Sequence, residues 1–96
     1  MSPKNKIKLN FLRTKLDNLD IRLLEILKER TEIIKKVLPL KAYKNEIIDK
    51  KRISAILKKI KKESLKKNID PKITHRIWKN MIWSYINFEK KNFKKK

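Results

Sequence analysis

The sequence contains no glycine, and this absence restricts the fold more than any other feature of the chain. Glycine is the residue that adopts positive φ most readily, so a chain without it has few places for tight turns. Apolar residues recur at spacings of three and four along almost every stretch, which is the period of an amphipathic helix. We therefore predict an all-α fold with no strand and no internal repeat.

Three helices are expected. The first carries an apolar stripe that starts near Leu9 and runs for about thirty residues, until Pro39 kinks or ends the helix. Asp49 suits the N-cap of a second helix. Asp70 and Pro71 provide an N-cap and a proline at the first helical position, so they begin the third.

The helix pattern also predicts the domain organisation and a partner. Residues 1–8 are expected to form a disordered N-terminus, residues 9–90 one helical domain, and residues 91–96 a basic tail. A single domain of 96 residues buries only a modest share of its surface. The first helix would span about 40 Å, and two shorter helices can cover only part of its apolar face. We therefore expect an intertwined helical homodimer.

Composition excludes several classes of protein. There is no cysteine, and no apolar run is long enough for a signal peptide or a membrane span. Disulfides, thiolate metal sites and a membrane location are thus not expected, and the cytoplasm is the expected compartment. The formal charge of +19 comes mostly from scattered lysines, which favours a solvated surface over a nucleic-acid site. His75 is the one histidine, so no metal centre is expected.

Arginines are scarce in this lysine-rich chain. The five are Arg13, Arg22, Arg30, Arg52 and Arg76. A guanidinium group binds a carboxylate through two parallel hydrogen bonds, which lysine cannot reproduce. The arginines are therefore candidates for recognising a carboxylate ligand, with surface salt bridges as the alternative.

The order of charged residues in the first half resembles that of the all-helical chorismate mutases. Residues 12–20, Leu-Arg-Thr-Lys-Leu-Asp-Asn-Leu-Asp, and the later pair Glu29-Arg30 resemble the opening helix of that family. Lys41 lies eleven residues beyond Arg30, where the family has its catalytic lysine.

The resemblance continues in the second half. Asp49 and Arg52 resemble the family's Asp-x-x-Arg element, and residues 68–71, Asn-Ile-Asp-Pro, resemble the turn into its last helix. In all, the resemblance covers roughly residues 9–90. It implies an enzyme without metal or cofactor that isomerises chorismate to prephenate in a cationic pocket shared between subunits.

The resemblance also assigns roles to individual residues. It implies that Arg13 and Arg30 bind the two substrate carboxylates, Lys41 donates to the ether oxygen, Arg52 supports the pocket and Asp49 positions the ring hydroxyl through its backbone. On one straight helix Arg13 and Arg30 lie about 25 Å apart and a quarter-turn out of phase. One small ligand cannot touch both, so we expect Arg13 to come from the other subunit. Arg30 and Lys41, three turns apart on nearly the same face, are expected to converge.

Three positions depart from the typical mutase. Ile53 stands where the family has a glutamate that binds the substrate hydroxyl, Tyr85 where it has a small hydroxyl residue, and Glu89 where it has a glutamine. With Tyr85 and Glu89, the end of the chain resembles the isochorismate pyruvate lyase branch of the family. Chorismate mutase is the leading hypothesis, with Glu89 as a catalytic residue and Tyr85 in contact with substrate. The alternatives are the lyase, or a non-enzymatic basic module that binds nucleic acid.

Overall fold

The computed structural model describes residues 1–94. Its elements are α1 (Pro3–Val37), a first 3₁₀ turn (Leu38–Leu40), a second 3₁₀ turn (Lys44–Glu46), α2 (Lys50–Lys66) and α3 (Pro71–Asn92). No strand occurs within residues 1–94, so the predictions of an all-α fold, three helices and a long first helix are confirmed. None of the described helices is both long enough and apolar enough to cross a membrane. The chain divides into two compact units, residues 1–35 and the residues from Lys36 onward.

The first unit is built from α1, a helix of 35 residues. At 1.5 Å per residue its length is about 52 Å. It begins at Pro3, inside the segment 1–8 whose disorder in solution stays a prediction. No side chain of α1 is buried. Eleven of its large apolar side chains are 40–73% exposed: Ile7, Phe11, Leu12, Leu16, Leu19, Ile21, Leu23, Leu24, Ile26, Ile33 and Val37.

The helix α1 ends at Val37 because of Pro39. Proline has no backbone N–H, and inside an α-helix its ring clashes with the carbonyl four residues earlier. Residues 38–40 instead form the first 3₁₀ turn, and Lys41 follows it with an extended backbone, φ −79° and ψ 127°. The helix therefore stops before Lys41, so Arg30 and Lys41 do not share one face of a continuous helix. Their convergence on one ligand stays a prediction.

Aspartates begin both shorter helices, as predicted. The Asp49 carboxylate accepts a hydrogen bond from the backbone N–H of Arg52 at 3.0 Å. The Asp70 carboxylate accepts one from the backbone N–H of Lys72 at 2.9 Å, immediately before Pro71. Each cap satisfies an N–H group that lacks a partner inside the helix and contributes about 1 kcal/mol. The Asp49 cap also fixes where the loop after Lys41 enters α2.

The turn between α2 and α3 depends on Asn68, whose φ of 57° is left-handed. The N–H of Asn68 donates to the carbonyl of Leu65 at 3.3 Å, and the N–H of Ile69 donates to the carbonyl of Ser64 at 2.9 Å. This Schellman pattern usually ends a helix with glycine. Asparagine tolerates the left-handed conformation better than most residues, so it takes the place of glycine here.

The second unit has a small hydrophobic core. Its buried members are Leu38, Ile47, Ile82 and Ile86, and the half-buried residues packed against them are Ile48, Ile53, Ile56, Leu57 and Phe93. A hydrogen bond of 2.7 Å between the hydroxyl groups of Ser64 and Thr74 joins α2 to α3 inside the unit. The core therefore aligns α2, α3 and the two 3₁₀ turns with one another.

The end of α3 falls within the segment 91–96 that we expected as a basic tail. The helix continues to Asn92, and Phe93 ends it and packs against the core. Lys95 and Lys96 lie outside the described residues. Whether the tail contacts a partner stays a prediction.

Candidate active site

An ion pair joins the loop after α1 to the last turns of α3. The Nζ atom of Lys41 donates to Oε2 of Glu89 at 2.9 Å. The two side chains are only 20% and 10% exposed, so the pair is largely shielded from water. Within residues 1–94, Glu89 is the one acidic residue that is buried. The two residues predicted to be catalytic are thus in direct contact.

The buried position of Glu89 is weak evidence that its carboxylate serves stability. Glu89 follows Ile82 and Ile86 on one face of α3, where an apolar residue would pack against the core. Removing two charges from water costs several kcal/mol, and an apolar pair of similar volume is often at least as stable. The pair of Lys41 and Glu89 is therefore a candidate for a functional role.

Lys41 and Asp49 line the same open cavity, which has a volume of about 540 Å³. Its other lining residues are Glu46, Ile48, Lys50 and Lys51. Both carboxylates on the cavity wall accept from backbone N–H groups, Asp49 from Arg52 and Glu46 from Tyr43, the latter at 3.0 Å. In the described part of the chain Lys50 and Lys51 form no ion pair, and they lie in the first turn of α2, where the helix dipole also favours anions.

Three further positions singled out in the sequence lie on α2 and α3. Arg52 is exposed in the first turn of α2, and its guanidinium group forms no ion pair among residues 1–94. Tyr85 is half-buried and lies four residues before Glu89, so the two share a face of α3. Ile53 packs against the core and, together with Trp83, lines a mostly apolar cavity of about 430 Å³. Ile53 therefore offers no hydrogen bond to a hydroxyl group.

The remaining predicted site residues, Arg13 and Arg30, both lie on α1 in the first unit. Because α1 is one helix from residue 3 to residue 37, the two are separated by about 25 Å along its axis. Arg30 lies four residues after Ile26 and seven after Leu23, so it belongs to the apolar stripe of α1. A single copy of α1 cannot present both guanidinium groups to one small ligand.

The residues of the second unit suit an anionic ligand better than a metal ion. Within residues 1–94 no group of three or more histidine, cysteine, aspartate or glutamate side chains is positioned to hold a metal. His75 is exposed on α3. Three of the six lining side chains of the cavity are ammonium groups, which bind carboxylates and stabilise developing negative charge, while its two carboxylates accept from backbone N–H groups.

The sequence prediction missed two contributors to this region. Glu46 holds the backbone of Tyr43 in the loop between Lys41 and α2. Phe93 packs against the core one turn beyond Glu89. The spacing of Phe93 from Ile82, Ile86 and Glu89 follows the helix period and is a signal that could have identified it.

Comparison with known proteins identifies the family to which the chain is similar. The family model described as chorismate mutase type II matches residues 12–90. No curated protein and no solved structure matches the chain. The matched range includes α2 and all the residues named above as candidates for the site, from Arg13 to Glu89.

Proposed function

The chain belongs to the chorismate mutase type II family, and from this membership we propose that it isomerises chorismate to prephenate without metal or cofactor. The observation that carries the proposal from family to site is the shielded contact of 2.9 Å between Lys41 and Glu89. Prephenate formation would serve the synthesis of phenylalanine and tyrosine in the cytoplasm.

The reaction makes simple demands on the protein. It is a concerted pericyclic rearrangement, in which the C–O bond of the enolpyruvyl ether breaks as a new C–C bond forms. No nucleophile is required, so catalysis consists of holding a compact conformer and stabilising the negative charge that builds on the ether oxygen. The Lys41 ammonium group supplies the positive charge that stabilises this oxygen, and its contact with Glu89 holds it in place before substrate arrives.

The substrate is a dicarboxylate, and the arginines suit its two carboxylates. In our proposal Arg30 and Arg13 each bind one carboxylate, while Arg52 supports the pocket from α2. The backbone of Asp49 positions the ring hydroxyl, because the Asp49 side chain is occupied as the N-cap of α2. Tyr85 contacts substrate from α3.

The proposal includes a homodimer, because one copy of α1 cannot bring Arg13 and Arg30 to one ligand. Two observations support it. Arg13 and Arg30 are about 25 Å apart, so a second copy has to supply Arg13 if both bind one ligand. The apolar side chains of α1 are exposed in one chain, and a second copy of the helix would bury them. In this arrangement the long first helices pair in antiparallel fashion about a twofold axis.

The direct test is turnover. Purified protein incubated with chorismate is expected to consume it with loss of ultraviolet absorbance and to yield prephenate. The same assay with isochorismate separates the lyase, which would yield salicylate and pyruvate. No turnover of either substrate, together with DNA binding that weakens steeply with salt, would instead support the nucleic-acid module.

The proposed role of Glu89 predicts the effect of an amide at this position. Lys41 donates to the Glu89 carboxylate in the structure, and an ionised carboxylate cannot donate to the ether oxygen. We expect Glu89→Gln to raise kcat, because an amide can accept from Lys41 and donate to the ether oxygen at the same time. Initial rates at saturating chorismate, compared with those of the wild type at one pH, provide the measurement.

A kcat of Glu89→Gln equal to or below that of the wild type would count against hydrogen-bond donation from this position to the ether oxygen.

A further inference from the structure

Phe93 lies on the same face of α3 as the proposed catalytic carboxylate. Ile82, Ile86, Glu89 and Phe93 follow one another at spacings of four, three and four residues, which places them in one stripe along the helix. The first three are buried, and Phe93 is half-buried and packs against the core. Glu89 is therefore a carboxylate with an apolar neighbour one turn away on each side.

Phe93 is also the point where the chain leaves the helix. Its backbone is extended, with φ −73° and ψ 122°. The three residues between Glu89 and Phe93 are Lys90, Lys91 and Asn92, and all three are exposed. The last turn of α3 is thus held to the rest of the unit at its two ends, by the Glu89 contact with Lys41 and by the packing of Phe93.

Helix ends fray, because their last four carbonyl groups lack partners inside the helix. Without the Phe93 ring, Glu89 would lie in a terminal turn that is attached to the core, within residues 1–94, by the ion pair with Lys41 and by the burial of Glu89 itself. The carboxylate could then shift along with the turn, and water would reach the pair from the open end. A displacement of about 1 Å can lower the rate of a preorganised site 100-fold.

We propose that Phe93 is a positioning residue that fixes Glu89, and through it Lys41, in the geometry needed for catalysis. This inference rests on the proposed mutase function. It assigns a role in the site to a residue beyond the segment 12–90 that the family model matches.

The first test compares single substitutions at the end of α3. Phe93→Ala is expected to lower kcat for chorismate about tenfold with little change in KM, because the loss concerns geometry at the reacting atoms and not substrate binding. Phe93→Leu, which keeps an apolar side chain, should restore most of the rate. Lys94→Ala is the matched control and should behave as the wild type. If Phe93→Ala does not fold, as judged by circular dichroism, Phe93→Val replaces it.

The second test asks whether Phe93 acts through Glu89. In a Glu89→Ala background, adding Phe93→Ala should not lower kcat further, since the group that it positions is already absent. An equal fold-loss in both backgrounds would overturn the inference, as would wild-type kcat in Phe93→Ala.

A third measurement does not depend on activity. Amide hydrogen exchange of residues 89–92 should become faster in Phe93→Ala than in the wild type, and should remain unchanged in Lys94→Ala. Unchanged exchange in Phe93→Ala would overturn the inference. If the wild type fails to convert chorismate while exchange responds as expected, the proposed reaction has failed and the anchoring of Glu89 stands.

Discussion

Replacing Lys41 with alanine is expected to lower kcat/KM for chorismate by about 100- to 1,000-fold, the effect typical of removing one group that stabilises developing charge. On the proposed mechanism, Lys41 would interact most strongly with the ether oxygen in the transition state, when the C–O bond is breaking. Most of the loss should therefore fall on kcat, with a smaller rise in KM. Initial rates of chorismate consumption, measured over a range of concentrations, give both parameters.

This substitution also disturbs the fold, so it needs controls. Alanine at position 41 leaves the Glu89 carboxylate shielded and without its cation, which destabilises the protein by up to about 3 kcal/mol. The double variant Lys41→Met with Glu89→Gln removes both charges and is expected to recover stability without recovering activity. Lys44→Ala, in the same loop but exposed, is the matched control and should retain wild-type rates. Wild-type kcat in a folded Lys41→Ala protein would contradict the proposed role.

The second large effect is expected from Arg13 and Arg30 in combination. Each single variant, Arg13→Ala or Arg30→Ala, should lose at least 100-fold in kcat/KM, because one substrate carboxylate loses its two-pronged partner. If each site takes Arg30 from one chain and Arg13 from the other, a mixed dimer of the two variants contains one intact site and one doubly altered site. Mixing the two inactive proteins should then restore activity.

The size of that recovery follows from counting sites. Random exchange of equal amounts makes half of the dimers mixed, and half of the sites in these are intact, so about one quarter of wild-type activity should return. Subunits are exchanged by partial unfolding and refolding together, and light scattering establishes the molecular mass. Arg22→Ala mixed with Arg30→Ala is the control. If Arg22 has no part in the site, Arg22→Ala is active by itself and subunit exchange leaves the total activity of the mixture unchanged. No recovery from Arg13→Ala with Arg30→Ala in mixed dimers would contradict the shared site. The separation of about 25 Å on α1 would then mean that the two arginines do not bind one small ligand together.

Local signals in the sequence predicted the helices well. Asp49 and Asp70 cap α2 and α3 as expected, because an N-cap needs only a few neighbouring residues to work. Pro39 was recognised as an end or a kink of α1. The choice between those two outcomes decides the position of Lys41, and proline alone does not determine it, since both relieve the same clash.

The contact between Lys41 and Glu89 could not be predicted from local sequence patterns. The two residues are 48 apart in the sequence, and their pairing follows from the packing of α3 against the core of the second unit. Resemblance to a family placed both residues in one site but gave no sign that they bind each other. Phe93 was missed because the surrounding lysines suggested a tail, although its spacing from Glu89 continues the apolar stripe.

The exposed apolar surface of α1 makes the stability of this protein depend on its concentration, if the proposed dimer forms. A helix of 35 residues with no buried side chain contributes little to the stability of an isolated chain. On the proposed pairing, the midpoint of thermal unfolding should rise with protein concentration, as mass action requires of chains that fold by associating. Dilution would then dissociate the dimer, so the folded structure and the catalytic activity would be lost together. At a low cellular concentration the chain would be present but inactive.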